Sequence, residues 1–301
     1  MASVRDVAAF LAMASMWALN YPLVKVALLY EGPLYILLFR LSLGALFSAV
    51  IAGGFKHAPR GLRDNVLILV TGLLNSALFM GFWFLGEQTE PASISAIIIY
   101  TFPIINIVLS YMFLGEGMTV PRTVGTVAGF GGLVVIFAEQ LSFGLNIGLL
   151  YLSLAAVVWS ASAVVYKKYL HGKDVGAVNA MQFIYALPFV FFWALLGERF
   201  NPAGLGYQFL GTVLYMGLFG SAFSYLIYYH LTRKYDVSLM SGFFFAVPAI
   251  SVLLSFLMLH ETGSPFTYAG FALISAGVFI SSAGDRVRRH PPFRAHDSPE
   301  Q

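Results

Sequence analysis

The chain of 301 residues contains no cysteine. Disulfides, thiolate metal sites and cysteine nucleophiles are therefore excluded, and the redox compartment is left open. Charge is scarce as well. Asp, Glu, Lys and Arg make up 10% of the sequence, against about 25% in a soluble domain. Glu31, Glu87, Glu90, Glu139 and Glu198 map to loops or to the ends of apolar segments, and Glu116 and Glu261 close two others as turn-fixing groups. No carboxylate falls mid-segment, where proton or sodium coupling usually places one. The expectation is movement down a gradient without ion coupling. His57, His171, His230, His260, His290 and His296 lie at ends, in loops or in the tail, without metal-ligand spacing, so neither metal nor cofactor is expected. HExxH, a nucleophile elbow, a P-loop and paired catalytic carboxylates are all missing, which argues against an enzyme.

What is present is apolar. Hydrophobic residues are 59% of the chain and mean hydropathy is +0.80. A helix needs about 20 apolar residues to cross a bilayer. Ten such segments are read, at about 6–28, 34–54, 66–86, 91–113, 120–138, 146–167, 176–196, 207–230, 236–259 and 266–284. Lipid cannot satisfy free backbone polar groups, so these must be helices or a closed barrel. Barrel strands alternate polar and apolar residues, and these segments do not. Residues 6–28 are long for a signal-peptide core and only Arg5 precedes them, so they count as the first span.

Basic residues set the orientation. With a cytoplasmic N-terminus, Arg5, Lys56, Arg60, Arg63, Arg122, Lys167, Lys168, Lys173, Arg233, Lys234, Arg286, Arg288, Arg289 and Arg294 all face the cytoplasm. Only Arg199 lies outside, and Lys25 and Arg40 lie within spans, which completes the 17. This asymmetry follows the positive-inside rule and places both termini in the cytoplasm. The basic tail, 285–301, is expected to be disordered and to touch anionic lipid rather than nucleic acid.

The chain also repeats itself. At one constant offset Gly72 pairs with Gly217, Ser93 with Ser238, Pro103 with Pro248, Ser110 with Ser255, Glu116 with Glu261, Gly125 with Gly270 and Gly132 with Gly277. Nearer the N-terminus, at a slightly shorter offset, Trp17 pairs with Trp159, Asn20 with Ser162 and Lys25 with Lys167. Each half, 1–140 and 141–284, holds five spans. Five is odd, so the second half enters the membrane inverted. Inverted repeats mark transporters in which one half rocks against the other.

LGEGMTVPRTVGTVAGFGGLVV, at 114–135, resembles the end of an EamA-type domain of the drug/metabolite transporter superfamily, with a Gly-Glu turn before a glycine-ridged helix. LHETGSPFTYAGFALISAGV, at 259–278, is similar to a second, degraded copy, in which His260 replaces the glycine before Glu261. The resemblance covers nearly all of the chain. It extends to bacterial exporters of aromatic and other neutral amino acids. It implies a central cavity built by spans one to four and six to nine, with the fifth and tenth outside.

The stretch WALNYPLVK, 17–25, sets polar and helix-breaking residues inside a span. Trp17 and Trp159 lie near mid-helix at matched positions. They read as tight packing or as a cavity wall with one N–H donor each. Trp83 and Trp193 fall near span ends and read as interfacial anchors. Asn20 shares a face with Trp17 and serves either a helix–helix bond or the substrate, and Ser162 carries the same ambiguity. Pro22, Pro103 and Pro248 remove helical hydrogen bonds and are candidate hinges. Lys25 is close enough to a helix end to snorkel. Arg40, about 9 Å deep, reads either as purely structural or as facing the interior, where it could pair with a carboxylate from substrate or protein. Tyr100, Tyr225 and Phe244 complete the candidate lining, and Tyr229 shares a face with Tyr225.

The sequence thus describes an all-α polytopic membrane protein of the cell (inner) membrane, with two inverted five-helix repeats around a central cavity. The function expected is export of aromatic or other neutral amino acids and similar small metabolites by alternating access. Another cargo on the same fold (drug, nucleotide sugar or lipid) stays open, with a membrane-embedded enzyme the weaker alternative. A phosphate-bearing cargo would demand more cations than Arg40 and Lys25. Gly125, Gly129 and Gly132 suit close helix packing within one chain or between two, which leaves both monomer and homodimer open.

Overall fold

The computed structural model describes residues 4–114, 119–141, 146–234, 244 and 246–285, with the side chains of 137–141 and 281–285 outside the description. Glu116, Ser238, Phe245, the start of the ninth segment and most of the tail lie outside the described residues. Helices make up the described fold, with no strand among them. Seven are long and apolar enough to cross a membrane: α1 (Val4–Ala27), α2 (Pro33–Ile51), α3 (Leu62–Thr89), α4 (Ala92–Leu114), α6 (Ile147–Leu170), α7 (Val175–Gly197) and α8 (Tyr207–Lys234). Three further apolar helices are described: α5 (Val120–Leu141), α9 (Ala246–Leu259) and α10 (Pro265–Asp285).

Helix ends are fixed by local chemistry. Pro33 opens α2, where its missing N–H costs nothing. Asp174 caps α7 by accepting the Ala177 N–H at 2.8 Å, and Asn146 caps α6 by accepting the Gly148 N–H at 2.9 Å. Two caps come from distant helices. Glu198, just past α7, accepts the Leu34 N–H of α2 at 3.0 and 3.1 Å. Glu261, just past α9, accepts the Ala92 N–H at 2.9 Å and, from Ser93, both the N–H at 3.0 Å and the hydroxyl at 2.9 Å. Glu261 is therefore the N-terminal anion of α4, placed where the helix dipole favours it. His260, which leads into it, has φ of 56°, a left-handed conformation that a glycine would adopt without strain.

Packing pairs the helices in a regular way. α1 lies against α9 and α8, and α6 lies against α4 and α3. α2 packs on α7, and α5 on α10. Exchanging the first five helices for the last five maps the α1 contacts onto those of α6, and the α2–α7 and α5–α10 contacts onto themselves. The α5–α10 seam uses the repeat-matched glycines. A Cβ on Gly132 would stand 2.6 Å from the Gly270 carbonyl oxygen, and one on Gly277 would stand 2.5 Å from that of Gly125. These glycines therefore serve contact within the chain.

Both halves also carry a widened, π-helical turn at matched positions, Gly72–Phe79 in α3 and Leu218–Phe223 in α8. A third widened turn, Tyr166–Leu170, ends α6. Such turns release backbone carbonyls from the helical ladder. Here Gly220 O and Ala222 O accept side-chain bonds from Arg40 and Asn179. α4 is broken differently. Its ladder stops at Ile99 and resumes at Phe102, and Thr101 donates its N–H and hydroxyl to Ile98 O at 3.0 and 2.7 Å. Pro103 sits directly after this break. α1, by contrast, runs unbroken through Pro22.

Candidate functional site

One cavity lies inside the bundle, lined by Trp17 and Tyr21 from α1, Arg40 from α2, Phe79 and Trp83 from α3, Tyr100 from the α4 break, Trp159 from α6 and Tyr225 from α8. Its free space is about 20 Å³, room for about one water molecule. The walls fill the rest. Trp17 meets its repeat partner Trp159 edge-on at 5.8 Å, and Phe79 stacks on Trp159 at 4.8 Å. Tyr100 meets Trp159 at 5.8 Å, Tyr21 meets Trp83 at 4.5 Å, and Tyr225 meets Trp17 at 5.5 Å. The Trp17 indole N–H donates to Ser224 Oγ at 2.8 Å, which fixes the ring.

Arg40 is the cation of this wall. It is 1% exposed. Its Nε donates to Ser221 Oγ at 3.0 Å and its Nη2 to Gly220 O at 3.2 Å, both from the widened turn of α8. Nη1 has no hydrogen-bond partner. The guanidinium lies 5.3 Å from the Trp83 ring and 5.6 Å from that of Phe84, within cation–π range. A planar donor with one arm free, in an aromatic enclosure, suits a carboxylate joined to an apolar group.

Behind Tyr225 lies a chain of buried amides and hydroxyls. The Tyr225 hydroxyl donates to Asn75 Oδ1 at 3.4 Å, and Asn75 Nδ2 donates to Gln182 Oε1 at 3.1 Å. Tyr229 donates to the same Gln182 oxygen at 3.0 Å, Gln182 Nε2 to Asn179 Oδ1 at 2.9 Å, and Asn179 Nδ2 to Ser48 Oγ at 3.0 Å. Gln182, which the shorter repeat offset sets opposite Arg40, is thus satisfied by protein alone.

Of the residues singled out from sequence, Trp17, Arg40, Tyr100, Trp159 and Tyr225 come together in the cavity wall. Phe244 stands one layer back, against Phe102 at 5.2 Å and Trp17 at 6.3 Å. Asn20 is buried but is not among the lining residues. Its Nδ2 donates to Met16 O at 2.9 Å, and its amide presses on Gly220. Ser162 is likewise buried off the lining. Lys25 is half-buried near the end of α1.

One reading requires correction. Trp83 is not an interfacial anchor: it is buried, because α3 turns it inward onto Tyr21. Glu87 occupies the last turn of α3, a span end as expected, and its side chain is fully buried and accepts the Trp83 indole N–H. Tyr21, Phe79 and Trp83 were missed. Four-residue spacing, Trp17 to Tyr21 and Phe79 to Trp83 to Glu87, was the available signal. Glu90, just beyond α3, holds the Asn146 amide. Its carboxyl is raised above the ordinary range, chiefly by burial, against the opposing effects of that amide and of Lys25.

A helical bundle with this many apolar spans is a multi-pass membrane protein. The EamA-like transporter family model matches residues 5–138 and again 146–283, and the chain belongs to that family. Over 91% of its length it is 29% identical to the "Uncharacterized transporter YvbV" of Bacillus subtilis (strain 168), covering 90% of that protein. It is 25% identical to the "Probable terminal-alkyne amino-acid exporter" of Streptantibioticus cattleyicolor, over 91% of this chain and 92% of that one. A solved crystal structure superposes with a TM-score of 0.71 over 95% of this chain and 99% of its own, at 18% identity, a likeness of fold.

Proposed function

We propose that the protein exports aromatic or other neutral amino acids and similar small metabolites by alternating access, with Arg40 taking the substrate carboxylate. The observation that carries this reading is Arg40, which has one unpaired guanidinium nitrogen and lines a cavity whose other walls are aromatic rings. Trp17, Tyr100, Trp159 and Tyr225 supply the surface for an apolar side chain, with Phe244 behind them. Asn20 and Ser162 hold the matched polar positions of α1 and α6 and serve the substrate's polar end once the cavity opens.

The two halves, 1–140 and 141–284, act as inverted five-span units in the inner membrane, with both termini and the tail in the cytoplasm. The paired helix contacts and the matched widened turns support a two-fold relation of this kind. Pro103, at the break in α4, and Pro248, early in α9, are the hinges best placed to widen the cavity, with Pro22 acting on α1. The printed name of the Streptantibioticus relative supports an amino-acid cargo. Phosphate-bearing cargo is disfavoured by the single guanidinium in the lining.

The test is a counterflow screen in proteoliposomes over the twenty amino acids, with a nucleotide sugar and a cationic drug as comparison cargoes. Aromatic and large neutral amino acids are expected to exchange. If none of the amino acids exchanges while the purified protein stays folded, the reading is wrong.

A further inference from the structure

Glu87 is the most enclosed carboxyl group near the cavity. It is 0% exposed. Oε2 accepts the indole N–H of Trp83, a residue of the cavity wall, and Oε1 has no hydrogen-bond partner. No ion pair among the described residues includes it. The groups around it are Tyr21 and Lys25 on α1, Arg40 on α2 and Glu261 beyond α9, while Glu90, three residues on, is held by Asn146. Arg40 directs its bonded donors to Ser221 and Gly220, and Glu261 is held by the start of α4. Cations therefore reach Glu87 through space and not by contact.

An ionised carboxylate without a bonded cation in a dry interior costs several kcal/mol more than the neutral acid. A structural role gives no reason for a glutamate here, because a glutamine carbonyl would hold the Trp83 N–H as well as the neutral acid does. The carboxyl adds one capacity, a change of charge. That change is felt at the cavity wall. An indole N–H bonded to a carboxylate makes a charge-assisted bond, about twice as strong as the same bond to a neutral acid. Protonation loosens Trp83, and with it the ring that faces Tyr21 and lies beside Arg40.

We propose that Glu87 is a proton-binding site that couples export to proton entry, with Trp83 as the link to the substrate cavity. The inference rests on the exporter reading above. A proton from water on one side binds Oε1 and is released as a proton to water on the other side. Only an O–H bond forms and breaks, and no further reactant is needed. Proton and cargo cross in opposite directions on alternate half-cycles.

Proteoliposomes loaded with acidic buffer and clamped at zero membrane potential test this, with radiolabelled L-phenylalanine as probe. The wild type should accumulate the probe by up to about tenfold per pH unit for one proton exchanged, since one unit corresponds to about 1.36 kcal/mol. A protonophore should abolish this. Glu87→Gln should retain counterflow and lose the accumulation, whereas Glu87→Asp should keep part of it. Counterflow by the wild type with no response to the pH gradient would overturn the proposal, as would undiminished accumulation by Glu87→Gln. If no amino acid exchanges at all, it is the exporter reading that fails. The proton site is then judged by tryptophan fluorescence of the purified protein between about pH 5 and 9, the range that buried carboxyls reach. A transition in the wild type that is absent from Trp83→Phe supports the proposal. A flat wild-type titration overturns it.

Discussion

Replacing Arg40 by methionine separates its charge from its bulk. In the wild type two arms of the guanidinium are held by Ser221 and Gly220, and Nη1 is free. A hydrogen bond from that arm to a substrate carboxylate is a bond to a charged group, worth about 1.5–3 kcal/mol. At about 1.36 kcal/mol per decade this is about 10- to 150-fold in affinity. The substitution also strands Ser221 Oγ and Gly220 O at a cost of about 1–3 kcal/mol each. That second cost falls on stability and is read separately by thermal melting. Counterflow inhibition by L-phenylalanine and by phenethylamine, which lacks the carboxylate, isolates the first. The wild type should prefer L-phenylalanine by one to two decades. Arg40→Met should bring the two close together, and Arg40→Lys should fall between, because an ammonium lacks the planar fork. An Arg40→Met protein that melts normally and keeps the full preference for L-phenylalanine would refute the assignment.

Gly132→Val should lower the melting temperature in detergent by the equivalent of about 1–3 kcal/mol, since its Cβ would meet the Gly270 carbonyl at 2.6 Å and the Ile274 nitrogen at 2.8 Å. Gly131→Ala, which meets nothing within 4 Å, is the control, and equal melting of the two would contradict the seam. Glu261→Ala should raise hydrogen exchange at the start of α4, in keeping with a lost cap of about 0.5–2 kcal/mol; unchanged exchange there would mean that the three bonds to Ala92 and Ser93 do not hold that end. His260→Gly should raise the melting temperature by relieving a left-handed residue, a gain of about 1 kcal/mol, and a fall would count against that backbone conformation. Because the chain lacks cysteine, an impermeant maleimide applied to intact cells should label Gly206→Cys and spare Ser298→Cys. The reverse pattern would invert the assigned topology.

The span pattern was legible because it depends on apolar run length alone. The expected segments at about 34–54 and 176–196 differ from α2 and α7 by only a few residues at each end. More than half of the cavity lining was legible as well. Trp17 and Trp159 stand at matched repeat positions, and Arg40 lies too deep to reach water. What stayed hidden is side-chain direction. Position along the axis placed Trp83 and Glu87 near a membrane boundary, and nothing in that count says which way a residue points. The widened turn at Gly72–Phe79 also shifts the helical phase before these residues, so simple periodicity misjudges their face. Distant caps were hidden as well. Glu261 was read as fixing its own turn, whereas its oxygens belong to a helix more than 160 positions earlier in the chain.

The near-absence of free volume between Trp17, Phe79, Tyr100 and Trp159 has a consequence for the unloaded carrier. Without cargo the rings bind one another, so the molecule contains its own competing ligand. On the proposed function, an incoming amino acid gains only the difference between its contacts and the ring pairs it separates, each worth about 0.5–1.5 kcal/mol beyond its buried area. Affinity is held down and departure is hastened. Among the described residues the packed rings leave room there for about one water, too little at that point for a solute to leak past the empty site.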